Sequence, residues 1–153
     1  MTVEELCRRH RRIGLDTNLL VYVLEDAARY GAVGRAILNA IEARETSAVL
    51  ASIGLAELVT GPARSGDGAL VERYMDELRS IGGLKIEPLS AEIAVDAAVI
   101  RGSREIGLAD AIHLATARAA GATAFVTNDR SMRSSTKLEV VYLDDLEVEP
   151  TAT

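Results

Sequence analysis

Four carboxylates stand at positions where a folded chain could bring them together. Each lies at the end of an apolar run or at the start of a helix, and the four are Asp16, Glu57, Asp110 and Asp129. Acids that converge in one crevice repel each other, and a bound cation would neutralise them. The pattern therefore favours a divalent-metal site, with metal-assisted phosphoryl chemistry as its function.

Each acid also has a purely structural interpretation. Asp16 could cap a helix, Asp110 could complement a helix dipole, and Asp129 in the TNDR segment could belong to a turn. Glu57 could lie on a solvated helix face, although it is the only charge in an apolar stretch. These alternatives weaken if a parallel sheet places all four acids at one edge.

The numbers of cysteine and histidine residues limit which metal ions the protein could bind. One Cys and two His exclude the usual Cys/His zinc sites, whereas carboxylates suit Mg²⁺ or Mn²⁺. The number of metal ions stays open. His113, three residues after Asp110, could be a metal ligand, a general base or a packed core histidine. Phosphate-binding GxxxxGK[ST] and GxGxxG motifs are missing from the sequence.

Apolar periodicity predicts alternating strands and helices. The expected strands cover residues 13–15, 47–51, 85–89, 124–127 and 138–143. The expected helices cover residues 19–25, 30–44, 52–59, 70–81, 90–106 and 109–121, after a short helix within 2–12. This order predicts an α/β protein, a three-layer α/β/α sandwich around a parallel sheet of about five strands. Ligands of such sheets bind beyond the carboxyl ends of the strands.

Local signals refine these bounds. Ser52 is a predicted N-cap, and Gly61-Pro62 is predicted to end its helix. Residues 61–68 then form a flexible loop and a candidate substrate gate. Thr2 and Glu5 have capping-box spacing.

The chain divides into an N-terminal extension (1–12), one domain (13–143) and an acidic tail (144–153) that we expect to fray. The extension ends in a basic run, Arg8 to Arg12, which is either an RNA-contacting arm or a solvated leader.

Composition sets the class of protein. The 153 residues fit one domain, and no apolar run is long enough to span a membrane. One cysteine and no signal peptide predict a cytoplasmic protein. The net charge of −6 argues against nucleic-acid binding unless the acids hold metal and arginines line the rim. Aromatic residues make up only 3% of the chain, which disfavours base-stacking platforms.

Four segments in order carry a family resemblance. DTNLL, an isolated Glu in the next helical region, LADAIHLATA and FVTND resemble PIN-domain ribonucleases, most closely the VapC-type toxins of bacterial toxin–antitoxin pairs. The resemblance covers about residues 12–143. It implies a parallel α/β/α sandwich that cleaves single-stranded or loop RNA with Mg²⁺ or Mn²⁺.

The resemblance also assigns roles. The four acids match the family's metal-binding acids, and Asn18, Thr127 and Asn128 match polar residues that orient an acid or a water. It implies a homodimer and a cognate VapB-type antitoxin that inserts a C-terminal segment, often with an arginine, near the acids. Charge and position suggest phosphate contacts by Arg64, Arg101, Arg104, Arg130 and Arg133.

Other functions remain open. A Mg²⁺-dependent phosphatase or a DNA nuclease could use the same acids, although DTN replaces the DxD pair expected of an aspartyl phosphatase. A receiver-type switch would need a late lysine where TND stands. A housekeeping PIN-like nuclease or a degenerate RNA-binding PIN module also fits.

Overall fold

The computed structural model describes residues 1–135 and 137–150, and the last residues of the predicted tail, 151–153, lie outside them. The strands are β1 (Arg12–Leu15), β2 (Ser47–Ala51), β3 (Leu84–Glu87), β4 (Ala124–Thr127) and β5 (Glu139–Tyr142). The helices are α1 (Val3–Arg9), α2 (Thr17–Leu24), α3 (Gly31–Glu42), α4 (Ile53–Arg64), α5 (Gly68–Ser80), α6 (Ala91–Ser103) and α7 (Leu108–Ala119).

The five strands form one parallel sheet in the order β3-β2-β1-β4-β5. Strand β1 is central, with Gly14 paired to Val49 on one side and to Phe125 on the other. A Cβ at Gly14 would lie 2.6 Å from the Cβ of Ala117, so the glycine allows α7 to pack against β1. All strands point the same way, and their carboxyl ends share one edge.

Two apolar cores confirm the predicted three-layer sandwich. One core packs α1 to α5 on one face of the sheet, with Leu15 and Leu50 among its buried residues. The second packs α6 and α7 on the other face, around Phe125 and Leu114. Burial of about 2 kcal/mol per large apolar side chain holds these layers together. None of the described helices is long and apolar enough to cross a membrane.

The predicted end of α4 is wrong. The helix continues through Gly61 and Pro62 to Arg64, so 61–68 is not one loop. Pro62 lacks the N–H that would bond the carbonyl of Leu58, and the helix nevertheless continues for two more residues. The helix ends instead at Gly66, which has φ +70° and occupies the C′ position after the C-cap Ser65. Ser52 occupies the predicted N-cap position, but its side chain makes no capping hydrogen bond.

The N-terminal extension is a packed element. Thr2 and Glu5 form the predicted capping box, and α1 buries Val3, Leu6 and Cys7. The tail pairs with it, since Val3 N–H donates to the Glu147 carbonyl, and Leu146 is buried. The expectation of a frayed tail is therefore wrong at its start, because an apolar side chain and a backbone bridge hold residues 146–147.

Candidate active site

The four acids sit on elements that begin at the carboxyl edge of the sheet. Asp16 directly follows β1 and is the N-cap of α2. Asp129 lies two residues beyond the end of β4. Glu57 lies in the second turn of α4, which follows β2, and Asp110 lies in the first turn of α7. The topology thus gives each acid the position that the sequence pattern suggested.

Asp16 is buried and held from both sides. Its Oδ1 accepts the Thr17 backbone N–H at 2.7 Å, and its Oδ2 accepts the Thr127 hydroxyl at 2.6 Å. The Asn18 amide also donates to Oδ2, at 3.5 Å. Burial raises the pKa of Asp16, and the hydrogen bonds from Thr127 and Thr17 oppose that rise. The carboxylate therefore has a fixed orientation at the centre of the edge.

Thr127 joins Asp16 to Asp129. Its hydroxyl donates to Asp16 and accepts the Asp129 backbone N–H at 3.0 Å. The Asp129 Oδ1 then accepts the Ser131 N–H at 2.9 Å, which closes a turn around the acid. The turn interpretation of Asp129 and its placement beside Asp16 are therefore both correct.

Glu57 is held by residues from two other helices. Its Oε1 accepts the Thr17 hydroxyl at 3.1 Å and also bonds Nε2 of His113. The hydrogen bond with His113 lowers the pKa of Glu57, although partial burial acts in the opposite direction. His113 is only 1% exposed, so it is a packed histidine that also contacts an acid of the site.

Asp110 is the fourth acid, and its pKa depends on its burial and on the charges of the other three. Burial, followed by the negative charges of Asp129 and Asp16, raises the pKa of Asp110 to about 6. Glu57 adds to this rise, and His113 opposes it. An acid whose pKa responds to three other carboxylates shares their electrostatic environment. The four acids are therefore coupled electrostatically, which makes the edge of the sheet a candidate site.

The donor set fits a hard divalent cation. All four acids offer oxygen, and the amide oxygens of Asn18 and Asn128 are buried without a hydrogen-bond partner. Within residues 1–135 and 137–150, no group of three or more His, Cys, Asp or Glu side chains is arranged to hold a metal ion. Mg²⁺ usually takes only one or two carboxylates directly and keeps several waters, so a donor set made of oxygen atoms is of the type that it prefers.

The candidate arginines separate into different environments. Arg104 and Arg133 line one cleft of about 400 Å³ with Glu105 and Ser131. Arg104 donates to the Arg133 carbonyl at 2.8 Å, and Ser131 in turn contacts Asp129. This cleft therefore adjoins the acidic cluster.

The remaining three arginines are placed differently. Arg130 pairs with Asp144 and Asp145 and lies 4.1 Å from the centre of the Tyr142 ring. Arg64 and Arg101 are exposed at the ends of α4 and α6. Of the five candidate arginines, Arg104 and Arg133 are the pair that lines a cleft with Ser131, whose N–H donates to Asp129.

Sequence reasoning missed the contacts that fasten Glu57. Thr17 stands inside the DTN segment, but nothing in the local sequence indicates its contact with Glu57, and Gly54 carries no signal of its own. A Cβ at Gly54 would lie 3.1 Å from Thr17 Oγ1 and 3.3 Å from His113 Cε1. The spacing of three residues between Asp110 and His113 places both on one helical face, which marks His113 as a candidate site residue. The contact of His113 with Glu57 joins two different helices, so no local sequence pattern indicates it.

A groove of about 480 Å³ runs from the acids between α2, α4 and α5. Its walls include Leu58, Leu70 and Tyr74, and its charged residues are all acidic: Glu25, Glu57 and Asp67. The groove is therefore suited to a basic, partly apolar chain segment.

Known structures share this fold. FitAcB from Neisseria gonorrhoeae is 25% identical, with a TM-score of 0.69, over 88% of this chain and 99% of its own. VapBC2 from Rickettsia felis, bound to a DNA fragment from its promoter, is 24% identical, with a TM-score of 0.65, over 86% and 98% of the two chains. VapC20 from Mycobacterium tuberculosis, described as a sarcin-ricin loop cleaving toxin, is 16% identical, with a TM-score of 0.57, over 74% and 86%.

The sequence comparison agrees with the fold. No curated protein matches the chain, but the PIN domain family matches residues 13–138. That range contains all four acids, the whole of β2, β3 and β4, and β1 from its second residue onward. The chain therefore belongs to the PIN domain family.

Proposed function

We propose that this protein is a metal-dependent endoribonuclease and the toxin of a type II toxin–antitoxin pair. The observation that carries the proposal is the placement of four acids at one edge of the sheet, where burial and then the charges of Asp129 and Asp16 raise the pKa of Asp110. Two of the structural neighbours are described as VapBC2 and VapC20, and VapC20 is described as a sarcin-ricin loop cleaving toxin. The proposal extends that class of activity to this chain, acting in the cytoplasm.

Asp16, Glu57, Asp110 and Asp129 would hold Mg²⁺ or Mn²⁺, directly or through water. When bound, such a cation supplies Lewis-acid stabilisation of a phosphodiester and lowers the pKa of water. The chain's own residues hold the acids in place for this chemistry. The Thr127 hydroxyl keeps Asp16 and Asp129 in register, because it contacts both.

The two asparagines would act on water or on the substrate. Asn18 donates to Asp16 through its amide nitrogen, which leaves its oxygen buried and free to accept a hydrogen bond. The Asn128 oxygen is likewise buried without a partner. A buried acceptor left unpaired costs about 1–3 kcal/mol, so a water or ribose hydroxyl at this position would be stabilising.

The substrate would cross the acids towards the cleft of Arg104 and Arg133. Guanidinium groups bind phosphate oxygens in a bidentate way and carry no sequence information by themselves. Because Ser131 links this cleft to Asp129, an RNA phosphate bound there would sit next to the reacting one. We assign Arg104 and Arg133 to the RNA backbone, whereas the pairing of Arg130 with Asp144 and Asp145 makes it a weaker candidate.

The acidic groove between α2, α4 and α5 would receive the cognate VapB-type antitoxin. Its charge complements an arginine-bearing segment, and Glu57 lines it as well as the site. A segment bound there would therefore block access to one of the acids.

We also propose a homodimer through the outer face of α6, where Val95 and Val99 are 63% and 65% exposed.

Cleavage of RNA tests the proposal. Purified protein would be incubated with structured and unstructured RNAs in Mg²⁺, in Mn²⁺ and in EDTA, beside the variant Asp110→Asn. We expect cleavage only with metal and only by the wild type, because Asn keeps the shape and removes a charge. Undiminished cleavage by a folded Asp110→Asn protein would refute the assignment, and binding of RNA without cleavage would favour the non-catalytic PIN module.

A further inference from the structure

Glu57 is fastened through only one of its two oxygens. Both Thr17 Oγ1 and His113 Nε2 contact Oε1, and no described residue forms a hydrogen bond with Oε2. The side chain of Glu57 is 42% exposed, whereas that of His113 is 1% exposed. A half-exposed glutamate is ordinarily mobile, so two contacts on one oxygen restrict it strongly.

We propose that His113 and Thr17 are positioning residues that hold Glu57 through Oε1 and leave Oε2 as the oxygen for the proposed metal site. The inference rests on the proposed function, because it gives Glu57 a cation or its water to contact. His113 and Thr17 touch neither substrate nor metal in this account. They act by fixing the rotamer of the glutamate.

Thr17 also sets the spacing between two acids. Its backbone N–H donates to Asp16, and its hydroxyl donates to Glu57. One residue at the start of α2 therefore connects the acid after β1 to the acid on α4. A change in the Thr17 side chain would remove one of the two contacts that hold Glu57 and leave the backbone contact to Asp16 intact.

His113 supplies the donor from the opposite helix. Its Nδ1 is buried and has no partner, so the tautomer with hydrogen on Nε2 satisfies the contact to the carboxylate. A carboxylate contact of this kind defines both the tautomer and the ring orientation. The buried ring, packed 6.2 Å from Phe125 between centroids, provides a rigid support.

Gly54 makes this three-helix contact possible. It lies one turn before Glu57, where a Cβ would be 2.8 Å from Leu50 Cδ1 and would crowd both Thr17 and His113. The three side chains meet because this position of α4 carries none. The close approach of Thr17 and His113 to the backbone of Gly54 is a second observation, independent of the hydrogen bonds. It shows that the side chains around Glu57 are closely packed.

Partners that orient metal-binding side chains typically contribute about 10–100-fold to metal affinity or activity. We would measure Mn²⁺ affinity by calorimetry, and RNA cleavage in parallel, for His113→Leu, His113→Gln and Thr17→Val. His113→Leu should weaken Mn²⁺ binding by about 10–100-fold, and His113→Gln should restore much of it because its amide keeps a donor. Thr116→Val is the matched control, since this buried hydroxyl of α7 contacts only the Ile112 carbonyl.

The Glu57→Ala background separates positioning from packing. Since His113 acts through Glu57, His113→Leu should cause no further loss of Mn²⁺ affinity once Glu57 is removed. Equal losses in both backgrounds, or wild-type affinity in a folded His113→Leu protein, would overturn the proposal. If His113→Leu does not fold, Thr17→Val decides, because Val is isosteric and keeps the backbone contact to Asp16.

The outcome also distinguishes the two proposals. A wild type that binds Mn²⁺ and cuts RNA, with variants that do both equally well, would overturn only the positioning role. A folded wild type that neither binds Mn²⁺ nor cuts RNA would overturn the positioning role together with the proposed function.

Discussion

Replacing Gly54 by Ala should damage both stability and activity, although Ala is the better helix former. The new Cβ would lie 2.8 Å from Leu50 Cδ1 and 3.1 Å from Thr17 Oγ1. Leu50 is fully buried, so it can yield only by disturbing the core. Overpacking of this kind costs about 1–3 kcal/mol, and the gain in helix propensity offsets at most about 1 kcal/mol.

The expected net loss in the free energy of unfolding is up to about 2 kcal/mol, because a gain of about 1 kcal/mol in helix propensity offsets part of the cost of overpacking. For a chain of this size each kcal/mol lowers Tm by roughly 2–4 °C. Cleavage should fall by about tenfold or more, because a small misplacement of a reacting group is costly. Movement of Thr17 or His113 would displace Glu57, whose orientation depends on both.

The assay combines thermal unfolding with single-turnover RNA cleavage. Gly102→Ala on α6 is the matched control, because no heavy atom lies within 4 Å of a Cβ there. It should keep or raise Tm and leave cleavage unchanged. A Gly54→Ala protein that gains the same stability as Gly102→Ala, with wild-type cleavage, would refute the packing argument.

Three further predictions follow from the site and its surroundings. Without metal, the raised pKa of Asp110, about 6 against an ordinary 3.8, contributes stability that is present below pH 3.8 and is lost as pH rises through 6. Thermal unfolding in EDTA should therefore show a smaller loss of stability between pH 3.8 and 6 for Asp110→Asn than for the wild type, and an unchanged loss would contradict the raised pKa of Asp110. Arg104→Ala and Arg133→Ala should each raise the KM for RNA, make that KM less dependent on salt concentration, and leave kcat unchanged. A fall in kcat with an unchanged KM would exclude a role in binding the RNA backbone. Val95→Glu and Val99→Glu should convert the proposed homodimer to a folded monomer in light scattering, and an unchanged mass would move the interface elsewhere.

The positions of the acids were accessible from sequence because strand ends converge. Asp16 and Asp129 follow strands that pair directly in the sheet, and a parallel sheet brings such ends to one edge. Asp110 and Glu57 were recognisable as charges near the starts of helices with apolar neighbours. Periodicity and the direction of the strands thus determine this part of the site.

The contacts between the acids were beyond sequence reasoning. Thr17 and His113 reach Glu57 across separations of 40 and 56 residues. No local pattern reports how closely α2, α4 and α7 approach, and the glycine that permits the approach resembles any other. The charge and sequence position of the arginines also do not predict their surroundings. Arg130 is paired with Asp144 and Asp145, whereas Arg104 and Arg133 share a cleft.

The end of α4 shows a different limit. Gly61-Pro62 carries the usual signal for a helix end, but Gly66 is the residue that adopts positive φ. A proline in the last turn loses only one hydrogen bond, so the helix can continue past it. Two competing stop signals within one segment cannot be ranked without the packing of α4 against α5.

The chemistry of the RNA product ends tests the central claim most directly. Wild-type protein would cut a labelled RNA in Mg²⁺, and mass spectrometry would identify the new termini. Attack by water, assisted by a cation at the four acids, predicts ends that carry a linear phosphate and a hydroxyl, with no product in EDTA or with Asp110→Asn. A 2′,3′-cyclic phosphate formed in EDTA, at an undiminished rate in Asp110→Asn, would contradict the account, because the ribose and not a metal-activated water would then be the nucleophile.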